Sequence, residues 1–147
     1  MAGNTGKASE AIFEGRWDAL GKTAWLERRI DAAHVRGLNR GQQIAFPMQP
    51  SDYILTHKGV THYCEVKSSG NKTSFPLGQI EKGQWAAMTR VTAAGGSYLV
   101  FIHNTATDEW FKVPGSAILD HKKDSSSIPW DELRLLHRWF ATPQEIW

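Results

Sequence analysis

The feature that most constrains the fold is a pair of strand-like segments joined by Lys58-Gly59. Ser51–Thr56 and Val60–Lys67 are rich in Tyr, Ile, Val and Thr, and a two-residue turn ending in glycine is typical of a β-hairpin. Such a turn fixes the register of the two strands. Residue 57 must face residue 60, residue 56 must face residue 61, and the pairing continues outward in this way. Asp52 is therefore predicted to stand opposite Glu65.

Three reactive side chains converge on one face of this predicted hairpin. Directly opposed residues lie close enough for their side chains to meet, and Glu65 and Lys67, two apart on one strand, project to the same face as Asp52. Two carboxylates suit a hard divalent cation such as Mg²⁺, which takes oxygen ligands and keeps waters for phosphate. A lysine beside the metal orients water and offsets charge on the phosphate.

The pattern of Asp52, a spacer and Glu65-x-Lys67 resembles the PD-(D/E)xK nuclease motif, with Ser51-Asp52 in place of Pro-Asp and Pro50 one step earlier. An ordinary amphipathic hairpin with an exposed acid–lysine pair explains the same residues. The motif alone therefore leaves both interpretations open.

Composition indicates a single domain of 147 residues with its own core. No apolar run approaches a membrane span, and the absence of a leader-like start predicts an intracellular protein. The single cysteine, Cys64, is expected to pack in the core. Charge is uneven: residues 1–90 hold twelve basic and eight acidic side chains, against five and seven in residues 91–147. A positive half that contains the candidate acids suits a polyanion.

Helical spacing predicts an N-terminal helix over about residues 7–21, preceded by a loose start. It places Glu10 and Glu14 on one face, where one of them could reach the metal or both could simply be solvated. Thr23–Ile30 is predicted to be a strand with Trp25 packed inward. Four arginines are candidate phosphate contacts, although scattered arginines are commonly just solvated: Arg28, Arg29, Arg36 and Arg40.

The second half of the chain predicts a helix, two strands and a helix. Pro76 is expected to open the first helix, with Gln84 on its apolar stripe as either a satisfied core amide or a group aimed at the site. Ser97–His103 is a continuous apolar strand, typical of burial on both faces. The remaining elements are a returning strand at Glu109–Val113, a polar loop at Lys122–Ser127 and a last helix over about residues 129–140 that buries Trp130, Leu133, Leu136 and Phe140.

This order predicts an α/β fold with a mixed central sheet flanked by helices, its catalytic core spanning about residues 23–113. It is also the order of the restriction-endonuclease-like core.

The run Asn71–Leu77, followed by Gln84 and by Gly95-Gly96 before an apolar strand, closely resembles the RecU family of Holliday junction resolvases. Asn4, Gly6 and Glu10 are similar to the start of that family. The resemblance covers about residues 4–118 and suggests a compact, phage-type member. One departure is that Asp31–Pro50 leaves room only for a short version of the segment that enters the junction in this family.

The resemblance implies roles for particular residues. Asp52 and Glu65 would be the main metal ligands, with the carbonyl of Val66 a third, and Lys67 would position the attacking water. Glu10, or Glu14 if the alignment slips by one turn, would assist from the helix and Gln84 would approach the site. Lys72, Thr73 and Ser74 would hold the scissile phosphate or its neighbours.

The resemblance also implies a homodimeric, Mg²⁺-dependent endonuclease of DNA recombination and repair, with Mn²⁺ an expected substitute. Its two sites would nick opposing strands of a four-way junction in the cytoplasm of a bacterium or phage-infected host, leaving 5′-phosphate and 3′-hydroxyl ends. A PD-(D/E)xK nuclease of restriction or repair type and a catalytically silent DNA-binding protein of the same fold are the alternatives. Intact Asp52, Glu65 and Lys67 disfavour the silent protein.

Overall fold

The structure, a computed structural model, describes residues 2–29 and 49–140. The helices are α1 (Ala2–Asp18), α2 (Lys82–Ala93), α3 (Gly115–Asp124) and α4 (Trp130–Leu136). The strands are β1 (Ala24–Arg28), β2 (Tyr53–His57), β3 (Val60–Ser69), β4 (Ser74–Pro76), β5 (Ser97–Asn104), β6 (Glu109–Pro114) and β7 (Ser127–Pro129). Short 3₁₀ turns occupy Gly21–Thr23 and Leu77–Gln79.

Five strands form a mixed sheet in the order β1-β2-β3-β5-β6. Among the described strands of this sheet, β3 and β5 pair in parallel and the other three pairs are antiparallel. The parallel pair is joined through α2, the crossover that a parallel connection requires. Strands β4 and β7 form a separate two-stranded sheet. The predicted α/β fold with a mixed central sheet flanked by helices is confirmed.

Two apolar clusters cover the two faces of the sheet. One lies under α1 and centres on aromatic side chains: Phe13, Trp17, Tyr53, Phe101, Trp110 and Trp139. The other lies under α2, α3 and α4 and includes Met88, Val100, Ile102, Phe111, Ile118 and Trp130. Strand β5 is buried along nearly its whole length because its alternate side chains enter both clusters, as its continuous apolar sequence predicted. Cys64 packs in the α1 cluster, also as predicted.

Several sequence predictions of the elements were wrong. Helix α1 begins at Ala2, so the start is not loose. Trp25 lies on an edge strand and is 68% exposed rather than packed inward. Pro76 ends β4 instead of opening a helix, and α2 begins six residues later behind the N-cap Glu81. A proline fits both positions, since φ near −65° suits an extended edge as well as a first helical turn.

The region after β6 was also predicted incorrectly. Helix α3 covers residues 115–124, where no helix was predicted. Its last three residues belong to the segment that was expected to be a polar loop. Gly115 lets α3 approach the sheet, because a Cβ there would lie 2.8 Å from Met88 Cγ and 3.2 Å from Tyr98 Cβ. Helix α4 stops at Leu136, which leaves Leu136 and Phe140 exposed at 62% and 55%.

The chain beyond α4 pairs with β6 instead of continuing the helix. The backbone N–H of Trp139 donates to the carbonyl of Trp110 over 2.9 Å. This carries the Trp139 ring to the α1 side of the sheet, where it stacks on Trp17 with the ring centroids 5.8 Å apart. Trp17 and Trp139 are therefore core residues, and Trp110 and Trp130 are buried as well.

Candidate active site

The predicted hairpin is present with the predicted register. His57 faces Val60, Thr56 faces Thr61, and the ladder continues to Tyr53 facing Cys64. Lys58 and Gly59 have φ values of 51° and 79°, and positive φ at both turn positions is the geometry that twists with the strands. One step beyond the ladder, the backbone N–H of Asp52 donates to Glu65 Oε1 over 3.1 Å. Asp52 and Glu65 therefore lie side by side, as the sequence predicted.

Glu65 is a buried carboxylate with an incomplete set of partners. Its residue is 2% exposed, and its Oε2 has no hydrogen-bond partner within residues 2–29 and 49–140. Burial is the largest cause that raises the pKa of Glu65 above its ordinary value, and the neighbouring Asp52 carboxylate raises it further. Lys67 opposes this rise, because its positive charge favours the ionised carboxylate. In its ionised form Glu65 is thus a negative charge that the described residues compensate poorly.

The segment that carries Asp52 is held in place from two sides. The backbone N–H of Arg29 donates to the Asp52 carbonyl over 2.7 Å. On the other side, the Tyr98 hydroxyl donates to the Pro50 carbonyl over 2.8 Å. Burial raises the pKa of the Tyr98 phenol above its usual range, and the charge of Glu65 adds to the rise, so Tyr98 remains a neutral donor.

Tyr98 is a site residue that the sequence reasoning missed. It lies two residues before Val100, the partner of Glu65 in the parallel pair of β3 and β5. Because side chains alternate along a strand, Tyr98 shares the face of Glu65. The signal was a tyrosine in an otherwise apolar buried strand, since a buried phenol needs a hydrogen-bond partner.

The carboxylates at this site suit a divalent cation. Within the described ranges, no group of three or more His, Cys, Asp or Glu side chains comes together. Mg²⁺ needs no such group, because it commonly binds through one or two carboxylates and completes its shell with water and phosphate. The exposed Asp52 and the Oε2 of Glu65, which has no partner in the part of the chain that the structure describes, supply that donor set. Val66 lies between Glu65 and Lys67 in β3, and the role of its carbonyl stays a prediction.

The acidic residues of α1 are engaged elsewhere. Arg28 binds Glu10 over 2.7 Å and Glu14 over 3.2 Å, and the Tyr53 hydroxyl donates to Glu10 over 3.2 Å. Tyr53 packs against Phe13 of α1 and faces Cys64, so Glu10 meets the sheet from the face opposite to Glu65. The metal-ligand role of Glu10, the alternative Glu14 and the DNA contact of Arg28 stay predictions.

The polar segment after β3 is held in a defined conformation. Asn71 Oδ1 accepts hydrogen bonds from the backbone N–H groups of Thr73 and Ser74 over 3.1 and 3.3 Å. This is the side-chain-to-backbone pattern that asparagine makes in turns. Lys72 and Thr73 are exposed and Ser74 is half-buried, so the candidate phosphate contacts lie on a turn that directly follows β3, the strand of Glu65 and Lys67. Their contact with phosphate stays a prediction.

Gln84 has a structural partner in α2. Its Oε1 accepts the backbone N–H of Glu81 over 2.9 Å, and the two residues form a capping box at the start of the helix. The amide oxygen of Gln84 is thus satisfied within the helix cap, and the approach of Gln84 to the site stays a prediction.

The candidate arginines are only partly described. The side chain of Arg29 is half-buried. Neither Arg36 nor Arg40 lies within the described residues. Of the short segment Asp31–Pro50, the structure describes only Gln49 and Pro50.

A family model described as "RecU: Recombination protein U" matches residues 34–139, well over half of the chain. The Holliday junction resolvase RecU of Oceanobacillus iheyensis is 36% identical over 89 residues, which cover 57% of this chain and 45% of the relative. The corresponding protein of Lactococcus lactis subsp. lactis is 33% identical over 89 residues, covering 57% of this chain and 41% of the relative. The chain thus spans less than half of the length of either relative.

The fold also matches a solved structure. The Archaeoglobus fulgidus protein Hjc, described as a Holliday junction resolvase from an archaeal hyperthermophile, superimposes with a TM-score of 0.58. The match covers 92% of this chain and 97% of Hjc at 12% sequence identity. No helix in the described parts of the chain is both long and apolar enough to cross a lipid bilayer.

Proposed function

This chain belongs to the RecU family, and on that basis we propose that it is a divalent-metal-dependent endonuclease that cuts four-way DNA junctions. The observation that carries the proposal is the pairing of exposed Asp52 with buried Glu65, whose Oε2 has no partner among the described residues. A protein that keeps an under-compensated carboxylate beside a second one gains most when a cation binds both. The relatives named as Holliday junction resolvases support the choice of substrate.

Asp52, Glu65 and the carbonyl of Val66 would hold the ion. A bound Mg²⁺ or Mn²⁺ supplies Lewis-acid activation of the phosphate and lowers the pKa of a coordinated water. The protein's part is to fix the two carboxylates: the hairpin register sets their separation, and the bonds from Arg29 and Tyr98 hold the Asp52 segment. Such preorganisation spares the site a reorganisation cost during the reaction.

Lys67 orients the attacking water and offsets charge on the phosphate in the transition state. It lies two residues after Glu65 on the same face of β3, and its charge already acts on that carboxylate. Hydrolysis that breaks the bond from phosphorus to the 3′-oxygen releases a 3′-hydroxyl and a 5′-phosphate. Lys72, Thr73 and Ser74 bind the scissile phosphate or its neighbours from the ordered turn.

The active assembly is a homodimer. Two symmetric cuts across a four-way junction require two equivalent sites, which a two-fold pair of identical chains provides. The substrate places the protein in the cytoplasm of a bacterium or of a phage-infected host.

The test is cleavage of a labelled immobile four-way junction beside linear duplex and flap DNA of the same sequence, each with Mg²⁺, Mn²⁺ or EDTA. Paired symmetric nicks on the junction alone, dependent on metal, are the expected result. Asp52→Asn should bind the junction as well as the wild type or better without cutting it, because the substitution removes a charge that repels phosphate. Equal cutting of all three DNAs would show that the enzyme is a general DNA nuclease and not specific for junctions. Binding without cutting in the presence of either metal would refute the enzymatic activity.

A further inference from the structure

Trp130 is a buried residue whose two N–H groups both donate to the turn that follows β3. It is the first residue of α4 and is 1% exposed. Its ring stacks on Phe111 with the centroids 5.8 Å apart and packs against Phe75 at 6.3 Å. Because these neighbours lie in the cluster beneath α2, α3 and α4, the position of Trp130 is fixed by the core rather than by the turn.

Two hydrogen bonds join Trp130 to this turn. Its indole Nε1–H donates to the carbonyl of Asn71 over 2.7 Å, and its backbone N–H donates to the carbonyl of Thr73 over 3.1 Å. The Asn71 side chain braces the same turn from inside through the amides of Thr73 and Ser74. Two carbonyls and two amides of the turn backbone are therefore hydrogen-bonded, while the Lys72 side chain stays exposed.

The turn is also tied to the catalytic strand and to β7. The backbone N–H of Asn71 donates to the Ser69 hydroxyl at the end of β3 over 3.1 Å. Immediately after the turn, Phe75 of β4 pairs with Ile128 of β7. Trp130 directly follows β7 in the chain. The tryptophan is therefore linked to the turn both by its own hydrogen bonds and by the pairing of β4 with β7.

We propose that Trp130 is a positioning residue for phosphate binding, acting through the backbone of Asn71–Ser74. This inference rests on the proposed function. The indole bond holds Lys72 and Thr73 at a fixed distance from Lys67, so that the DNA strand meets a turn already in its bound conformation. A preformed turn binds more tightly because it does not pay the conformational entropy of ordering on contact.

The first test is Trp130→Phe, which keeps an aromatic ring against Phe111, removes the indole donor and leaves a small cavity where the rest of the indole lay. The carbonyl of Asn71 lies at an exposed residue, so water can replace the lost hydrogen bond. Loss of one net hydrogen bond from the preformed state predicts a KM for the junction raised about 3- to 10-fold. The value of kcat at saturating junction should stay within about twofold, since Asp52, Glu65 and Lys67 are untouched.

A salt titration separates positioning from general damage. If the turn places one phosphate contact, the slope of log Kd against log salt should fall by about 0.9 in Trp130→Phe. In a Lys72→Ala background the tryptophan substitution should change neither KM nor this slope further, because the contact that it positions is already lost.

Trp110→Phe is the matched control. Trp110 is also a buried tryptophan, at 3% exposure, but it lies in the cluster under α1 and its Nε1 has no hydrogen-bond partner among the described residues. Trp110→Phe should lower the melting temperature at least as much as Trp130→Phe does, and it should leave KM for the junction unchanged. An equal rise of KM in both variants, or an unchanged KM in Trp130→Phe, would overturn the inference.

A measurement on the wild type keeps the inference testable if Trp130→Phe does not fold. The indole N–H of Trp130 should exchange with solvent far more slowly than that of half-buried Trp85 in NMR spectra of the metal-free protein, and rapid exchange would overturn the inference. Failure of the proposed function is distinguishable: a wild type that binds the junction but never cuts it refutes the nuclease, while the Kd of the two tryptophan variants still decides the role of Trp130.

Discussion

Replacing Glu65 with glutamine should stabilise the metal-free protein while it destroys cleavage. The wild-type carboxylate is buried, has one oxygen without a partner among the described residues and lies beside Asp52. Keeping a buried carboxylate charged beside a second one, or protonating it at pH 8, costs about 1–3 kcal/mol. The amide of glutamine requires neither, so we expect a gain of that order at pH 8. For a domain of this size it corresponds to a rise in Tm of about 2–10 °C.

The gain should depend on pH in a defined direction. Burial raises the pKa of Glu65 in the folded protein above its ordinary value of 4.5, so the folded state binds more protons than the unfolded state above that pH. Stability of the wild type is therefore lost as pH rises from the unfolded pKa towards the folded one. The difference between Glu65→Gln and the wild type should be largest at alkaline pH and should vanish below about pH 4.

The assay is thermal unfolding in EDTA between pH 4 and pH 9, repeated with Mg²⁺ at pH 8. Metal should raise the melting temperature of the wild type by mass action and have little effect on the variant, which reverses their order. Asp52→Asn is the matched comparison and should gain less, because Asp52 is exposed. A metal-free Glu65→Gln that melts at or below the wild type at pH 8, or an offset that does not change with pH, would refute the reasoning.

Lys67→Ala should lower kcat by orders of magnitude while Mg²⁺ still raises the melting temperature, and a near-normal rate in a single-turnover assay would remove Lys67 from the mechanism. Junction binding by the wild type should weaken steeply between 50 and about 200 mM salt, as phosphate contacts require, and a flat titration would argue against the basic half of the chain as the DNA face. Glu109→Gln should lower Tm at pH 7, because hydrogen bonds from Arg134 hold the pKa of Glu109 down at about 2. A lowered folded pKa gives stability that is lost as pH falls from about 4.5 to 2, so the difference should shrink over that range, and a constant difference would show that the ion pair is not its cause.

The parts of the site that lie close in sequence were predictable. A two-residue turn leaves one register, so the meeting of Asp52 with Glu65 followed from counting along Ser51–Lys67. Strand β5 was equally clear, because a continuous apolar run is typical of a strand that is buried on both faces. In these two cases a local pattern determines the structure without help from distant parts of the chain.

The errors arose where distant contacts decided the structure. Pro76 suits a helix start or an extended edge, and pairing with β7 selected the edge. Helix α3 depends on Gly115 lying against Met88, a contact with no local signature. The apolar stripe predicted for the last helix ran to Phe140, but pairing of the backbone with β6 ends the helix early and leaves Phe140 exposed. Tyr98 was missed for the same reason, since its partner Pro50 lies 48 residues away.

The turn at Lys58-Gly59 has a consequence for how this protein can change in length. A two-residue turn cannot be shortened, so a deletion there must slide β3 past β2 by one position. Such a slip would rotate Glu65 and Lys67 into the aromatic cluster under α1 and turn Cys64 and Val66 towards the face of Asp52. An extra residue can instead bulge out at the tip without disturbing the ladder. Among functional relatives, this hairpin should therefore show insertions and no single-residue deletions.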